Sequence, residues 1–459
     1  MEQIAKPHCG ARLDRLPDCR WHSAMFAMVA FGLLVCWSNA VGGLILAQLK
    51  VLGWTDNSTT ATFSAITTAG MFLGALGGGI IGDKIGRKNA FILYEAIHIV
   101  AMVVGAFSPN MTFLIASRFV MGVGLGALLV TLFAGFTEYM PGRNRGTWSS
   151  RVSFIGNWSY PLCSLIAMGL TPLISAEWNW RVQLLIPAVL SLIATVIAWR
   201  SFPESPRWLE SRGRYAEAEE VMRAIEERVI QQTGKPLPPV VIADDGKPPR
   251  AVPYSALLTG VLLKRVILGS FVLIAMNVVQ YTLINWLPTI FMTQGINLKD
   301  SIVLNTMSMF GAPFGIFIAM LVMDKIPRKT MGVGLLVLIA VLGYIYSLQT
   351  SMLLITLIGF FLITFVYMYV CYASAVYVPE IWPTEAKLRG SGLANAVGRI
   401  SGIAAPYAVA ILLNSYGVTG VFVLLGAVSI IVAIAIATIG IETKGVSVES
   451  LGIDAVTSK

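Results

Sequence analysis

Apolar residues run from Met25 to Gly440 in stretches of about 20, the length that crosses the hydrocarbon core of a bilayer, and most breaks between them are short. Twelve stretches are predicted as membrane-spanning helices, over 24–47, 58–82, 89–107, 112–138, 148–172, 179–201, 266–292, 300–323, 330–348, 352–377, 390–414 and 418–440. They are called helices one to twelve below. The first run is too long for the apolar part of a secretory leader and has no small-residue cleavage site, so it is expected to stay as helix one. One long polar interruption, 203–262, divides the helices six and six. It opens with Pro203-Glu204-Ser205-Pro206-Arg207-Trp208-Leu209, continues from Arg214 to Gln232 in an Ala- and Glu-rich stretch, and closes with a Pro-rich run to Pro253. That pattern reads as a connector with one or two surface helices, either a solvated spacer or a latch packed under the bundle.

The expected class is an all-α polytopic membrane protein. Its divisions are a tail (1–23), a six-helix bundle (24–202), the connector (203–262), a second six-helix bundle (263–440) and a tail (441–459). Composition agrees: 56% of residues are hydrophobic and 12% charged, against roughly 25% charged in a soluble domain.

A net charge of +9 would suit nucleic acid, but placement argues otherwise. All but Lys50, Arg118, Arg181, Lys299 and Arg399 of the 33 Lys and Arg residues fall in or beside segments on the side of the two tails. This is the positive-inside pattern, which puts both tails in the cytoplasm and leaves no nucleic-acid role. The five cysteines are scattered, so no disulfide framework is implied. His8, Cys9, Cys19 and His22 match no common metal spacing, and the N-terminal tail is expected to be solvated. With three histidines, no phosphate loop and no metal-ligand cluster, neither an enzyme nor a cofactor is expected.

Internal repetition orders the rest. Asp83-Lys84-Ile85-Gly86-Arg87-Lys88 recurs as Asp324-Lys325-Ile326-Pro327-Arg328-Lys329, each between the second and third helix of its half. Glu138, Pro141 and Arg145-Gly146 after helix four recur as Glu380, Pro383 and Arg389-Gly390 after helix ten, and Glu204 is matched by Glu442. Two six-helix halves related by an axis along the membrane normal produce such a pattern.

These motifs resemble the major facilitator superfamily. Gly82 to Lys88 is similar to its signature between helices two and three, and Pro203 to Leu209 to the motif after helix six in sugar porters and metabolite:proton symporters. Arg118-x-x-x-Gly122-x-Gly124-x-Gly126, Asn285-Trp286-Leu287-Pro288-Thr289, and Glu380 to Gly390 followed by Gly398-Arg399 and Pro406 resemble the same subgroup. Among bacterial members the chain looks most like inner-membrane metabolite transporters. It departs from the pattern at Cys36-Trp37-Ser38-Asn39, where many proton-coupled relatives carry an acid, and at Ala127-Leu128-Leu129, where metabolite symporters often have Asp.

The resemblance implies a charge network that shuts the tail side: Asp83, Arg87, Glu138 and Arg145 in one half, Asp324, Arg328, Glu380 and Arg389 in the other, with Glu204 and Arg207 from the connector. Asp83 is expected to address the N-terminus of helix eleven near Gly390, and Asp324 that of helix five near Gly146, where the macrodipole favours an anion. Ordinary surface pairs remain the alternative.

Charged groups inside a span are costly, which makes Arg118, Arg399, Glu95 and His98 candidates for function. Arg118 and Arg399 lie in helices that line the path in the family, and each suits either a substrate carboxylate or a structural bond to backbone carbonyls. Asn277, Gln280, Tyr281 and Asn285 form a polar stripe on helix seven suited to hydroxylated solutes. Trp286, Tyr369 and Tyr372 either stack on a sugar face or pack in the core. Asn39, Asn157, Asn305 and Asn395 sit on helices that line the path in the family, as binding groups or interhelical glue. Glu95 and His98, one turn apart in helix three, are expected to satisfy each other and to be the candidates for proton coupling.

The expected function is alternating-access import of a small hydrophilic metabolite (a sugar, sugar acid or related organic acid), proton-coupled, by a monomer whose partners are the substrate, protons and the bilayer. A facilitative uniporter, a drug/proton antiporter and a transporter-fold nutrient sensor are the alternatives.

Overall fold

A computed structural model describes residues 7–141, 145–240, 253–383 and 386–444. Helices two, three, four and six are Asn57–Ile85, Arg87–Ala106, Met111–Tyr139 and Ala176–Ser201. Helices seven and nine are Gly260–Thr293 and Arg328–Ser347. Each carries enough apolar residues to span a membrane.

The remaining spans are interrupted. Helix one is two pieces, Arg20–Val35 and Gly42–Val51, and helix five is Arg145–Asn157 followed by Ser159–Leu170. Helix eight breaks at Phe310 between Leu298–Met309 and Gly311–Val322. Helix ten, Met352–Cys371, passes through a π-turn at Tyr372–Tyr377. Helices eleven and twelve share the run Lys387–Ile439, whose reversal occurs at Gly417 (φ 65°), a left-handed conformation that suits glycine. Non-helical backbone is tolerated at membrane depth where protein or a cavity surrounds it, and the break in helix one, residues 36–41, is such a place.

The helix-four glycines set the spacing of the first half. A methyl group on Gly126 would run into the backbone of Met71 in helix two, and one on Gly124 would sit 2.8 Å from the His98 backbone nitrogen in helix three. Small residues let membrane helices approach backbone to backbone, and here they carry His98 into the interior.

At the end away from the tails the halves close on each other. Asn57 Nδ2 donates to Asn414 Oδ1 at 2.6 Å, and Asn305 Nδ2 to Ser164 Oγ at 3.1 Å. At the tail end the connector folds into helices Pro206–Ser211 and Tyr215–Thr233.

The N-terminal tail departs from its expectation. Helix Cys9–Asp14 docks on the connector, with Cys9, Leu13 and Leu16 buried against Trp208, Leu209, Met222 and Ile225. Arg12 binds Glu219 and also Glu226 (2.8 Å), Arg15 binds Glu226 (2.6 Å), and Arg207 Nη2 donates to Asp14 Oδ1 at 3.0 Å. The polar character of this segment hid a three-residue apolar edge and charges opposite to those of the connector.

Candidate translocation site

Two charge clusters at the tail end repeat each other. In the first half, Arg87 Nη1 meets Asp83 Oδ1 at 2.7 Å and Arg87 Nε meets Glu138 Oε1 at 2.9 Å. Glu204 Oε1 accepts the backbone N–H groups of Arg87 (2.7 Å) and Lys88 (3.2 Å) at the start of helix three. In the second half, Arg328 meets Asp324 (3.2 Å) and Glu380 (3.0 Å), while Glu442 accepts from the N–H of Arg328 (2.8 Å) and Lys329 (3.1 Å). A carboxylate on the free N–H groups of a first helical turn also meets the favourable end of the macrodipole.

The residues after those glutamates complete the copies, a feature the sequence reading missed. Ser205 Oγ donates to Glu138, and Thr443 Oγ1 donates to Glu380 at 2.6 Å. The signal was present in the sequence, since Glu204-Ser205 and Glu442-Thr443 both pair an acid with a hydroxyl.

Asp83 and Asp324 each hold an arginine of their own half, and among the described residues no hydrogen bond joins Asp83 to helix eleven. The Arg145 side chain lies outside the described residues. Arg389 lies 5.1 Å over the Tyr254 ring, and Arg207 belongs to the tail–connector contact instead of either cluster.

Between the halves lies a cavity. Asn39, Asn157, Gln280, Tyr281 and Arg399 line it, joined by Cys36, Trp37 and Tyr160. Its wall reaches toward the tail end through Phe133 and Ser153, while hydrogen bonds between the halves lie toward the other end. Among the described residues, Arg399 Nη1 is buried without a hydrogen-bond partner and the cavity lining contains no carboxylate.

The other candidates stand behind or beside this wall. Arg118 is buried over the Phe63 ring at 4.6 Å, donating through Nη1 to Ser38 O (2.7 Å) and through Nε to Thr67 Oγ1 (3.3 Å). The break in helix one frees that carbonyl, so Arg118 takes the structural arrangement. Asn277 donates to Leu273 O one turn back, and Tyr369 to Val272 O. Asn285, Trp286 and Asn305 are buried between helices, Tyr372 stacks on Tyr377, and Asn395 is exposed and bonded to Ser391 O.

Glu95 and His98 are fully buried, with Oε2 and Nδ1 3.4 Å apart. His98 Nε2 lies 2.7 Å from Ser38 Oγ, and Cys36 Sγ lies 3.6 Å from Glu95 Oε1. Cys36 also lines the cavity, so this polar chain begins at the cavity wall and ends at Arg118. Sequence reading paired Glu95 with His98 but did not connect them to Cys36 and Ser38, which the broken helix one presents.

The chain is 94% identical over 459 residues, 100% of both chains, to the "Putative metabolite transport protein YdjK" of Escherichia coli (strain K12). It is 43% identical to the inner membrane metabolite transport protein YdjE of the same organism, covering 96% of this chain and 98% of that one. The fold matches the inward open conformation of the xylose transporter XylE from E. coli with a TM-score of 0.73 and 17% identity, covering 94% of this chain and 98% of that one. Residues 22–454 match the family described as sugar (and other) transporter, and the chain therefore belongs to that family of the major facilitator superfamily: a multi-pass membrane transporter of metabolites and not an enzyme.

Proposed function

We propose that the protein imports a small hydroxylated carboxylate, a sugar acid or a related organic acid, across the inner membrane by proton-coupled alternating access, with its tails in the cytoplasm. Arg399 carries this reading: a cation with a buried, unpartnered Nη1 in a cavity whose lining holds no carboxylate. Leaving such a charge unpaired is costly, and a substrate carboxylate offsets that cost through a charge-assisted contact. Asn39, Asn157 and Gln280 supply amides that both donate to and accept from hydroxyl groups, and Trp37, Tyr160 and Tyr281 supply apolar ring faces.

Glu95 and His98 are the proton carriers in this reading. The family position in helix one that often holds an acid is Cys36-Trp37-Ser38-Asn39 here, and the carboxylate reaches the same wall from helix three. The repeated clusters keep the charges of each half internal while the cavity is open to the tail side. Closure of that side then brings Asp83 and Asp324 to the opposing helices.

The test is uptake by the full-length protein in vesicles with an acid exterior, offering labelled sugar acids and the corresponding neutral sugars. Accumulation of an acid, lost on dissipating the pH gradient and in Arg399→Gln, is expected. Accumulation of neutral sugars with acids excluded would overturn the anion assignment, and uptake indifferent to the gradient would overturn the coupling.

A further inference from the structure

A second cavity lies outside the bundle at the tail end, between the connector helix Tyr215–Thr233 and the ends of helices three and six. Lys88, Arg200 and Arg228 line it with a single carboxylate, Glu220, and the rings of Trp21 and Phe202 form part of its apolar wall. None of the three cationic side chains has a hydrogen-bond or ion-pair partner among the described residues, although Arg12, Arg15 and Arg223 nearby pair with connector glutamates. A positive-inside bias accounts for basic residues at this end. It does not account for three of them left unpaired around one hollow.

The position of the hollow points to its occupant. Arg200 is the penultimate residue of helix six, whose outer face leaves Val196, Ile197 and Trp199 exposed at 40%, 42% and 59%. That face meets acyl chains, and Trp199 sits where an aromatic ring marks the level of lipid headgroups. A lipid lying along helix six therefore brings its headgroup to the mouth of this cavity. We infer that the cavity binds the phosphate of an anionic phospholipid from the leaflet on the tail side, with Lys88, Arg200 and Arg228 as its ligands. Basic pockets at helix ends on the cytoplasmic side suit such headgroups. The bound lipid bridges helix three, helix six and the connector, so it ties the connector to the first half at a site separate from the Arg399 cavity.

The test uses the purified full-length protein in neutral detergent, titrated in parallel with phosphatidylglycerol, phosphatidylcholine and inorganic phosphate while its thermal unfolding midpoint is followed. Phosphatidylglycerol should raise the midpoint, and the other two should not. The Lys88→Gln/Arg228→Gln double variant should lose at least half of that shift, while Arg223→Gln, on the same connector helix but paired with Glu219, should keep it. An equal response to phosphatidylcholine, an equal response to inorganic phosphate, or a full shift in the double variant overturns the proposal. If the double variant does not fold, the exposed single change Arg228→Gln decides by native mass spectrometry. Fewer retained phosphatidylglycerol molecules than in the unaltered protein supports the site, and an unchanged number overturns it.

Discussion

Glu95 Oε2 stands 3.4 Å from His98 Nδ1, and neither side chain has any solvent exposure. An ionised carboxylate in such surroundings is costly unless it has a partner, and the imidazole one turn away is that partner. Glu95→Gln should therefore abolish accumulation driven by a pH gradient while leaving substrate exchange at equal pH within about twofold, a difference under ~0.5 kcal/mol. Gradient-driven accumulation at the unaltered level would remove the pair from coupling.

Asp83→Asn should reduce uptake at least about tenfold, equivalent to ~1.4 kcal/mol, with membrane insertion unchanged. In the tail-open form the carboxylate holds Arg87 at 2.7 Å, and in the closed form it is proposed to reach helix eleven. Quantifying the protein in the membrane fraction beside the uptake rate separates a gating defect from lost expression. Uptake at the unaltered rate would refute the role.

Docking of the N-terminal helix should weaken in acid. Burial raises the Glu226 carboxyl, but hydrogen bonds and charge from Arg12 and Arg15 outweigh it and hold the group below its ordinary value. A carboxylate depressed in the folded state contributes stability above its unfolded pKa, about 4.3, and that contribution fades as pH falls through the depressed value. Hydrogen-exchange protection at residues 9–14, relative to the intrinsic rate at each pH, should be high at neutral pH and fall below about pH 4, and Glu226→Gln should lower it at neutral pH too.

The same helix offers a chemical reporter. Burial, followed by contact with Glu210, pushes the Cys9 thiol up to about 12, so it is protonated and covered at neutral pH. In a Cys19→Ser background, maleimide labelling of Cys9 should be slow, and Arg12→Ala should accelerate it at least about tenfold. Equal labelling rates would mean that the apolar edge alone holds the tail.

Glu442→Gln should lower thermal stability by about 0.5–2 kcal/mol, the range for losing a helix cap. The carboxyl is partly buried, yet the N–H groups of Arg328, Lys329 and Lys444 hold it below its ordinary value. The loss should be present at neutral pH and vanish in acid, where the natural group is protonated too. A midpoint unchanged at neutral pH would show that neighbouring groups replace the cap.

Hydropathy made the twelve spans legible because lipid imposes one length and one composition on each. The repeated loops were legible because both copies kept the same residues. The breaks at residues 36–41, Trp158 and Phe310 were not, since each lies within an apolar run and depends on what packs against it. For the same reason Ser38 was overlooked: its importance comes from a backbone carbonyl turned to Arg118 and a hydroxyl turned to His98. Of the helix-seven stripe, Gln280 and Tyr281 reach the cavity while Asn277 and Asn285 turn into the protein, because a helix inside a bundle is polar toward neighbours as well as toward a solute.

The unpartnered Arg399 has an electrical consequence. When the seal shifts from one end of the cavity to the other, the membrane potential falls across a different wall, and a fixed charge between the walls experiences that change as if it had moved. Each elementary charge so displaced is worth about 2.3 kcal/mol per 100 mV. A carrier loaded with an anion is nearly neutral at this point, whereas an unloaded carrier is not. The voltage sensitivity of the cycle should therefore reside in the return of the unloaded carrier, which a cell with a negative interior holds in the tail-open form described here.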